Sequence, residues 1–225
     1  MQLLRQKYTK LGNKLELIGC PAENNILIIG VFHGDEPQGK FLIEEYIKTT
    51  SVSISKRVIN SLLFIPCLNP DGMEVNSRCN SNGVDLNRNF PTKNWGQNKG
   101  CNAACDDRTS GYYGGQSPAS EIETLFVVDI IKKYTPKLVL TLHAPYKVVN
   151  YDGPAQNIAN IISEIINYPV KTYIGYPTPG SFGTYCGVER NIPVITLELD
   201  EECPLQQLSK PIFEIFDKLS KYRIT

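Results

Sequence analysis

Short apolar runs alternate with longer amphipathic stretches along the 225 residues of the chain. The runs Ile26–Val31, Leu62–Ile65 and Val139–Leu142 are continuously apolar, which is typical of strands that are buried on both faces of a sheet. This alternation predicts a mostly parallel sheet that is covered by helices. The predicted strands are Lys14–Ile18, Asn25–Val31, Ser61–Leu68, Lys137–Leu142, Val148–Asn150, Val170–Tyr173 and Pro193–Glu198.

The amphipathic stretches predict the helices that cover the sheet. Ser117, Pro118 and Glu121 form a helix start signal, because proline is favoured in the first turn of a helix. The last helix carries an apolar stripe over Leu208–Leu219 that is expected to face the core. The predicted helices are Pro37–Thr49, Ser117–Tyr134, Ala155–Ile166 and Leu205–Lys221.

Residues 69–116 differ from the rest, because they lack periodicity and are rich in Gly, Asn, Asp and Pro. A loop of this length between two core elements is usually functional or disordered. The sequence contains no internal repeat and no second-domain boundary. One domain is therefore expected to span residues 1–225.

Charge and cysteine content narrow the class of protein. The 23 basic and 23 acidic residues give no net charge, so neither a nucleic-acid partner nor a membrane surface is expected. The N-terminus has no signal-peptide features, and no apolar run is long enough to span a membrane. Seven cysteines without an export signal favour thiols in a reducing, cytoplasmic compartment. Cys101 and Cys105 lie in one loop. Two interpretations of this pair remain, a disulfide or a second metal site.

The chain has only two histidines, and each follows an apolar run that is predicted to be a strand. His33 lies in a His-Gly-Asp-Glu turn with Glu36, and His143 follows a later strand. In an open α/β sheet, ligands bind beyond the carboxyl ends of strands, so these side chains are expected to converge. His33, Glu36 and His143 would form a catalytic zinc site with one open position. The alternative is a pair of structural histidines and an acidic helix N-terminus.

Glu198 lies within the apolar run Pro193–Leu199. A carboxylate in such a run is costly unless it is paired or functional, which makes Glu198 the candidate general base. The alternative is a glutamate at the end of a strand that points to solvent, since further acidic residues follow it.

The long loop carries groups that recognise anions. Arg88 offers a planar fork for a carboxylate, and Asn87 offers a neutral amide beside it. Arg78 is a candidate for stabilising a developing oxyanion, and Asp85 for accepting a proton from the far nitrogen of His33. Taken singly, each of these residues could be a solvated loop residue.

Together these motifs resemble the zinc carboxypeptidases, over about residues 26–200. The matching segments are His33-Gly-Asp-Glu36, Asn69-Pro-Asp-Gly72, Arg78, Gly83-Val-Asp-Leu-Asn-Arg-Asn-Phe90, Tyr113-Gly-Gly-Gln-Ser-Pro-Ala-Ser-Glu121, His143 and Glu198. The resemblance implies a three-layer α/β/α fold with a mixed, mostly parallel eight-stranded sheet. It also implies one Zn²⁺ per chain on His33, Glu36 and His143.

The same resemblance assigns roles to the remaining residues. It implies Glu198 as the base and Arg78 as the oxyanion stabiliser. It also implies that Asn87 and Arg88 bind the terminal carboxylate of a peptide substrate.

Within the family, Gly83–Pro91 and Gly175–Cys186 are most similar to bacterial murein peptide amidases of cell-wall recycling. Those relatives cut the γ-D-glutamyl–meso-diaminopimelate bond of free murein peptides, which implies a small peptide, the murein tripeptide, as partner. Tyr176 matches a mobile tyrosine that binds substrate, and Phe182 falls near the position that lines the side-chain pocket. No aspartate is evident at that position, which argues against a digestive carboxypeptidase for basic residues.

Three alternatives remain. One is another zinc carboxypeptidase that removes ordinary C-terminal residues. The second is a deacylase like aspartoacylase or succinylglutamate desuccinylase, although those chains generally carry a further β-domain and only a short segment follows Glu198. The third is a zinc-free binder of peptidoglycan fragments, against which the retention of both histidines and Glu198 argues. Metal analysis and a tripeptide hydrolysis assay separate these hypotheses.

Overall fold

The computed structural model describes residues 1–50, 60–96, 112–173 and 175–223. Eight strands form one sheet in the order β1-β2-β4-β3-β5-β8-β6-β7. The strands are β1 Gln2–Tyr8, β2 Lys14–Gly19, β3 Asn25–Gly30, β4 Ser61–Ile65, β5 Leu138–His143, β6 Val148–Asp152, β7 Val170–Lys171 and β8 Val194–Glu198. The central strands β4, β3, β5 and β8 run parallel, and antiparallel pairings join β2 to β4 and β6 to β8.

Helices cover both faces of the sheet, so the predicted three-layer α/β/α fold with a mixed sheet is confirmed. Helices α1, α4 and α5 pack on one face in a core that includes Leu42, Ile158 and Phe216. Helix α3 and part of the long loop pack on the other face, with Phe126 and Phe90 in the core. The helices are α1 Gln38–Thr50, α2 Pro70–Glu74, α3 Ile122–Tyr134, α4 Gln156–Ile166 and α5 Leu205–Lys221.

Several elements differ from the sequence-based prediction, among them strand β1 and the start of helix α3. Strand β1 was not predicted, because this edge strand is nowhere fully buried and shows no clear apolar alternation. Helix α3 begins at Ile122 rather than Ser117, so the helix start assigned to Pro118 was wrong. Instead, the preceding segment is held by Asn89, whose carbonyl and side-chain oxygens accept the N–H groups of Ala119 and Glu121.

The sheet order places the predicted functional residues together. His33 follows β3, His143 ends β5 and Glu198 ends β8, and these three strands are adjacent and parallel. Their carboxyl ends therefore share one edge of the sheet. Cys101 and Cys105 lie outside the described residues. Among the described residues, no helix combines the length and apolar character needed to cross a bilayer.

Candidate active site

A sharp turn after β3 aims His33 and Glu36 at the same point. Val31 adopts a φ of 55°, a left-handed conformation that is rare for a β-branched residue. The N–H of Asn69 donates to the carbonyl oxygen of Val31 at 2.9 Å and so holds this conformation. Gly34 packs so closely on Gly72 that a Cβ at Gly34 would lie 2.1 Å from the Gly72 carbonyl carbon. The Asn69–Gly72 segment thus restrains the turn through this hydrogen bond and this close packing.

His33, Glu36 and His143 converge, with one potential ligand atom from each within 4.8 Å of the others. The Nδ1 atom of His33 lies 2.7 Å from Glu36 Oε1, and Nδ1 of His143 lies 3.0 Å from Glu36 Oε2. Both imidazoles are buried. Two nitrogens and one carboxylate are a donor set that suits zinc with an open position. The residues present therefore fit the metal expected from the sequence.

Asp85 stands behind this cluster and is fully buried. Its Oδ1 lies 3.4 Å from Nε2 of His33, and its Oδ2 accepts hydrogen bonds from Nε and Nη2 of Arg78. Burial alone would raise the pKa of the Asp85 carboxyl, but Arg78 and His33 lower it well below its usual range. Asp85 is therefore an anion that lies beside the far nitrogen of His33, while Nδ1 of His33 lies toward Glu36.

Glu198 faces the same space. It pairs with His143 in the register of β5 and β8, and its side chain is almost completely buried. Its Oε2 has no hydrogen-bond partner in the described part of the chain, and burial raises the pKa of its carboxyl. A buried carboxylate oxygen without a partner is available to accept a proton from a bound water.

Two arginines, Arg78 and Arg88, place positive charge on the wall of the site. Arg78 extends Nη1 toward the cluster, 3.9 Å from Glu36 Oε1. Arg88 is 4% exposed, and its Nε has no hydrogen-bond partner among the described residues. The side-chain oxygen of Asn87 accepts the backbone N–H of Phe182 at 2.9 Å, which leaves its NH₂ group for a ligand. The ring of Tyr112 lies 5.0 Å from the guanidinium carbon of Arg78 and 5.7 Å from that of Arg88.

These groups line one cavity of about 290 Å³. Every residue that was predicted to have a catalytic, metal-binding or substrate-binding role lines this cavity, apart from Phe182. Tyr176 forms part of its wall. The expectation that Phe182 lines the side-chain pocket was wrong. Its ring packs in the core against Phe32 and Phe90, at centroid distances of 5.6 and 5.2 Å, and only its backbone reaches Asn87.

Sequence reasoning missed Asp152, which also lines the cavity. The predicted strand ended at Asn150, whereas β6 continues to Asp152. Antiparallel pairing places Asp152 opposite Val194 and Asn150 opposite Thr196, on the face that also carries Glu198. The alternation of Val148, Asn150 and Asp152 was the available signal, but it required knowledge of the strand partner.

The model of the family described as zinc carboxypeptidase matches residues 8–200. The chain belongs to the zinc carboxypeptidase family. Membership, together with the His-Glu-His cluster, makes it a zinc metallopeptidase-type hydrolase.

Relatives and solved structures refine this comparison. Murein peptide amidase A of Escherichia coli K12 is 32% identical over 194 residues, 84% of this chain and 77% of the relative. The Vibrio campbellii protein of the same name is 32% identical over 195 residues, 84% of this chain and 75% of the relative. The crystal structure of murein-tripeptide amidase MpaA from E. coli O157 is 27% identical, with a TM-score of 0.77 over 96% of this chain and 90% of that chain. Bovine thrombin-activatable fibrinolysis inhibitor shares the fold at 17% identity, with a TM-score of 0.80 over 97% of this chain and 89% of that chain.

Proposed function

We propose that this protein is a zinc-dependent amidase that hydrolyses the γ-D-glutamyl–meso-diaminopimelate bond of free murein peptides. The observation that carries the proposal is the convergence of His33, Glu36 and His143 with Glu198 and two arginines in one cavity. The similarity to murein peptide amidases over most of the chain supports the substrate class. One zinc per chain is proposed, since the described residues contain this one cluster.

The proposed role of each residue follows from its position in the cavity. Zinc held by His33, Glu36 and His143 would supply a Lewis acid that activates water and polarises the scissile carbonyl group. Glu198 takes a proton from the attacking water and delivers it to the leaving amine. Arg78, fixed by Asp85, donates to the developing oxyanion, and it is already charged and oriented before the reaction.

Arg88 and Asn87 bind the carboxylate beside the scissile amide. The guanidinium of Arg88, whose Nε has no hydrogen-bond partner among the described residues, and the NH₂ group of Asn87 both provide donors for a carboxylate. Tyr176, in the cavity wall, is proposed to contact the bound peptide. We place the enzyme in the cytoplasm. The cysteines of the described residues are free thiols.

The test is hydrolysis of L-Ala-γ-D-Glu-meso-diaminopimelate by the zinc-loaded protein, followed by chromatography of the released diaminopimelate. An α-linked peptide with a C-terminal phenylalanine is the comparison substrate, and an N-acetyl amino acid tests the deacylase alternative. Preferential release of diaminopimelate supports the proposal. Faster cleavage of either comparison substrate would contradict it.

A further inference from the structure

Tyr112 lines the active-site cavity, but the proposed mechanism gives it no role. The centre of its ring lies 5.0 Å from the guanidinium carbon of Arg78 and 5.7 Å from that of Arg88. Both distances fall within the range of about 6 Å over which the negative face of an aromatic ring attracts a cation. One ring therefore contacts both of the arginines on which the proposed function depends.

The two arginines differ in how firmly they are held. The Nε and Nη2 atoms of Arg78 both donate to Asp85. The Nη1 atom of Arg88 donates to the carbonyl oxygen of Asn87 at 2.7 Å, whereas its Nε has no hydrogen-bond partner among the described residues. Like charges on the wall of one cavity repel each other. A ring face that attracts both guanidinium groups offsets part of this repulsion and restricts the orientation of Arg88.

The backbone that follows this tyrosine is anchored to the loop that carries Arg88. The carbonyl oxygen of Tyr113 accepts the N–H of Asp85 at 2.8 Å, and the carbonyl oxygen of Gly114 accepts Nδ2 of Asn89 at 2.8 Å. A Cβ on Gly114 would lie 2.7 Å from the carbonyl oxygen of Arg88, so the two segments pack in direct contact. Backbone contacts on both sides of Arg88 therefore set the position of the tyrosine ring.

We infer that Tyr112 is a positioning residue. Its ring holds the guanidinium groups of Arg78 and Arg88, through cation–π contacts, in the orientation that binds the substrate carboxylate and the developing oxyanion. The inference rests on the proposed function for the roles of the two arginines. It assigns the role to the face of the ring and not to the hydroxyl group, so an aromatic residue without a hydroxyl should replace Tyr112.

The experiment compares Tyr112→Leu with Tyr112→Phe in hydrolysis of the murein tripeptide by the zinc-loaded protein. Tyr112→Leu removes the ring and should reduce kcat/KM by about 5- to 30-fold, the scale of one or two cation–π contacts. KM should rise because Arg88 is less well placed, and kcat should fall because Arg78 is. Tyr112→Phe should stay within about threefold of the wild type. Tyr134→Leu is the matched control, because the Tyr134 ring lies 5.3 Å from Nζ of Lys133 outside the cavity, and it should change neither constant.

A second substitution separates ring electrostatics from packing. A trifluorinated phenylalanine at position 112 keeps the shape of the ring but removes most of the negative potential of its face. It should lose as much kcat/KM as Tyr112→Leu does, whereas a residue that only fills space would give the values of Tyr112→Phe. Titration calorimetry with free meso-diaminopimelate measures carboxylate binding without turnover. The affinity should follow the same order among the variants.

Three results would overturn the inference. Tyr112→Phe could lose as much as Tyr112→Leu, the fluorinated ring could behave like phenylalanine, or Tyr112→Leu could match or exceed the wild type. If the wild type leaves the tripeptide intact but calorimetry gives the expected order, the proposed function fails and the inference stands. If the wild type cleaves the tripeptide and all three variants match it, the inference fails and the proposed function stands.

Discussion

The carboxylate of Asp85 lies 3.4 Å from Nε2 of His33 and binds the guanidinium of Arg78 with its other oxygen. One buried anion thus lies between a proposed metal ligand and the group proposed to stabilise the oxyanion. We therefore propose that Asp85 couples the two functions, although it would contact neither metal nor substrate.

Asp85→Asn should weaken both functions. We expect zinc affinity to fall by about 10- to 100-fold, the usual effect of losing a residue that orients a histidine ligand. Competition with a fluorescent zinc chelator measures the affinity. Asp71→Asn is the matched control, because Asp71 is another buried carboxylate of the same loop and bonds to Thr9, Asn13 and Ser81 instead. An equal loss of zinc affinity in both variants would show that loop stability, not orientation of His33, is responsible.

His143→Ala should remove most of the bound zinc, because two protein ligands remain of the three. Elemental analysis of purified protein gives the stoichiometry. Thr141→Ala changes a buried residue two positions earlier on the same strand and should keep its zinc. Undiminished stoichiometric zinc in His143→Ala would refute the assigned ligand set.

Arg88→Lys keeps the positive charge but loses the planar fork. We expect kcat/KM for the murein tripeptide to fall by about 10- to 100-fold, whereas an analogue amidated at the carboxylate next to the scissile bond should change little. Arg190→Lys provides a control outside the cavity. A uniform loss for both substrates would argue against recognition of the carboxylate by Arg88.

The buried carboxyl group of Glu123 is expected to make the free energy of unfolding depend on pH. This effect is independent of the active site. Burial, reinforced by the nearby Glu121, raises the pKa of the Glu123 carboxyl to about 7 from an ordinary value of 4.5. Between these two values the folded protein binds more protons than the unfolded chain, so the free energy of unfolding falls as pH rises from about 4.5 to 7. The shift corresponds to at most about 3 kcal/mol. Glu123→Gln should remove this contribution and raise the melting temperature at pH 8, whereas Glu214→Gln, on an exposed position, should not. A melting temperature for Glu123→Gln that follows the wild type across this pH range would contradict the assignment.

The sequence predicted most of the fold because the central strands are continuously apolar and the helices are strongly patterned. It also predicted that His33, Glu36 and His143 converge, since the chain has only two histidines and both follow such strands. Strand β1 was missed because an edge strand does not need to bury either face. The start of α3 was misplaced because the backbone N–H groups of Ala119 and Glu121 donate to Asn89, about thirty residues away, and this outweighs the local proline signal.

Within the site, the prediction of individual residues failed where a role depends on whether the side chain points into the cavity or into the core. Phe182 was assigned to the pocket by its position in the chain, but the turn that brings Gly183 against Asp152 directs its ring into the core. Asp152 was overlooked because the pairing of β6 with β8, not the sequence of β6, places it in the cavity. The alternation along β6 becomes informative only when its strand partner is known.

Glu198→Gln provides the most direct test that this cavity catalyses zinc-dependent hydrolysis with Glu198 as the base. Zinc content and turnover of the murein tripeptide are measured on the same sample, beside the wild type. The side chain keeps its shape and loses its proton acceptor, so zinc should remain at one per chain while turnover falls by at least roughly 10²-fold. Turnover within a few fold of the wild type, or a loss of zinc that parallels the loss of activity, would contradict the account.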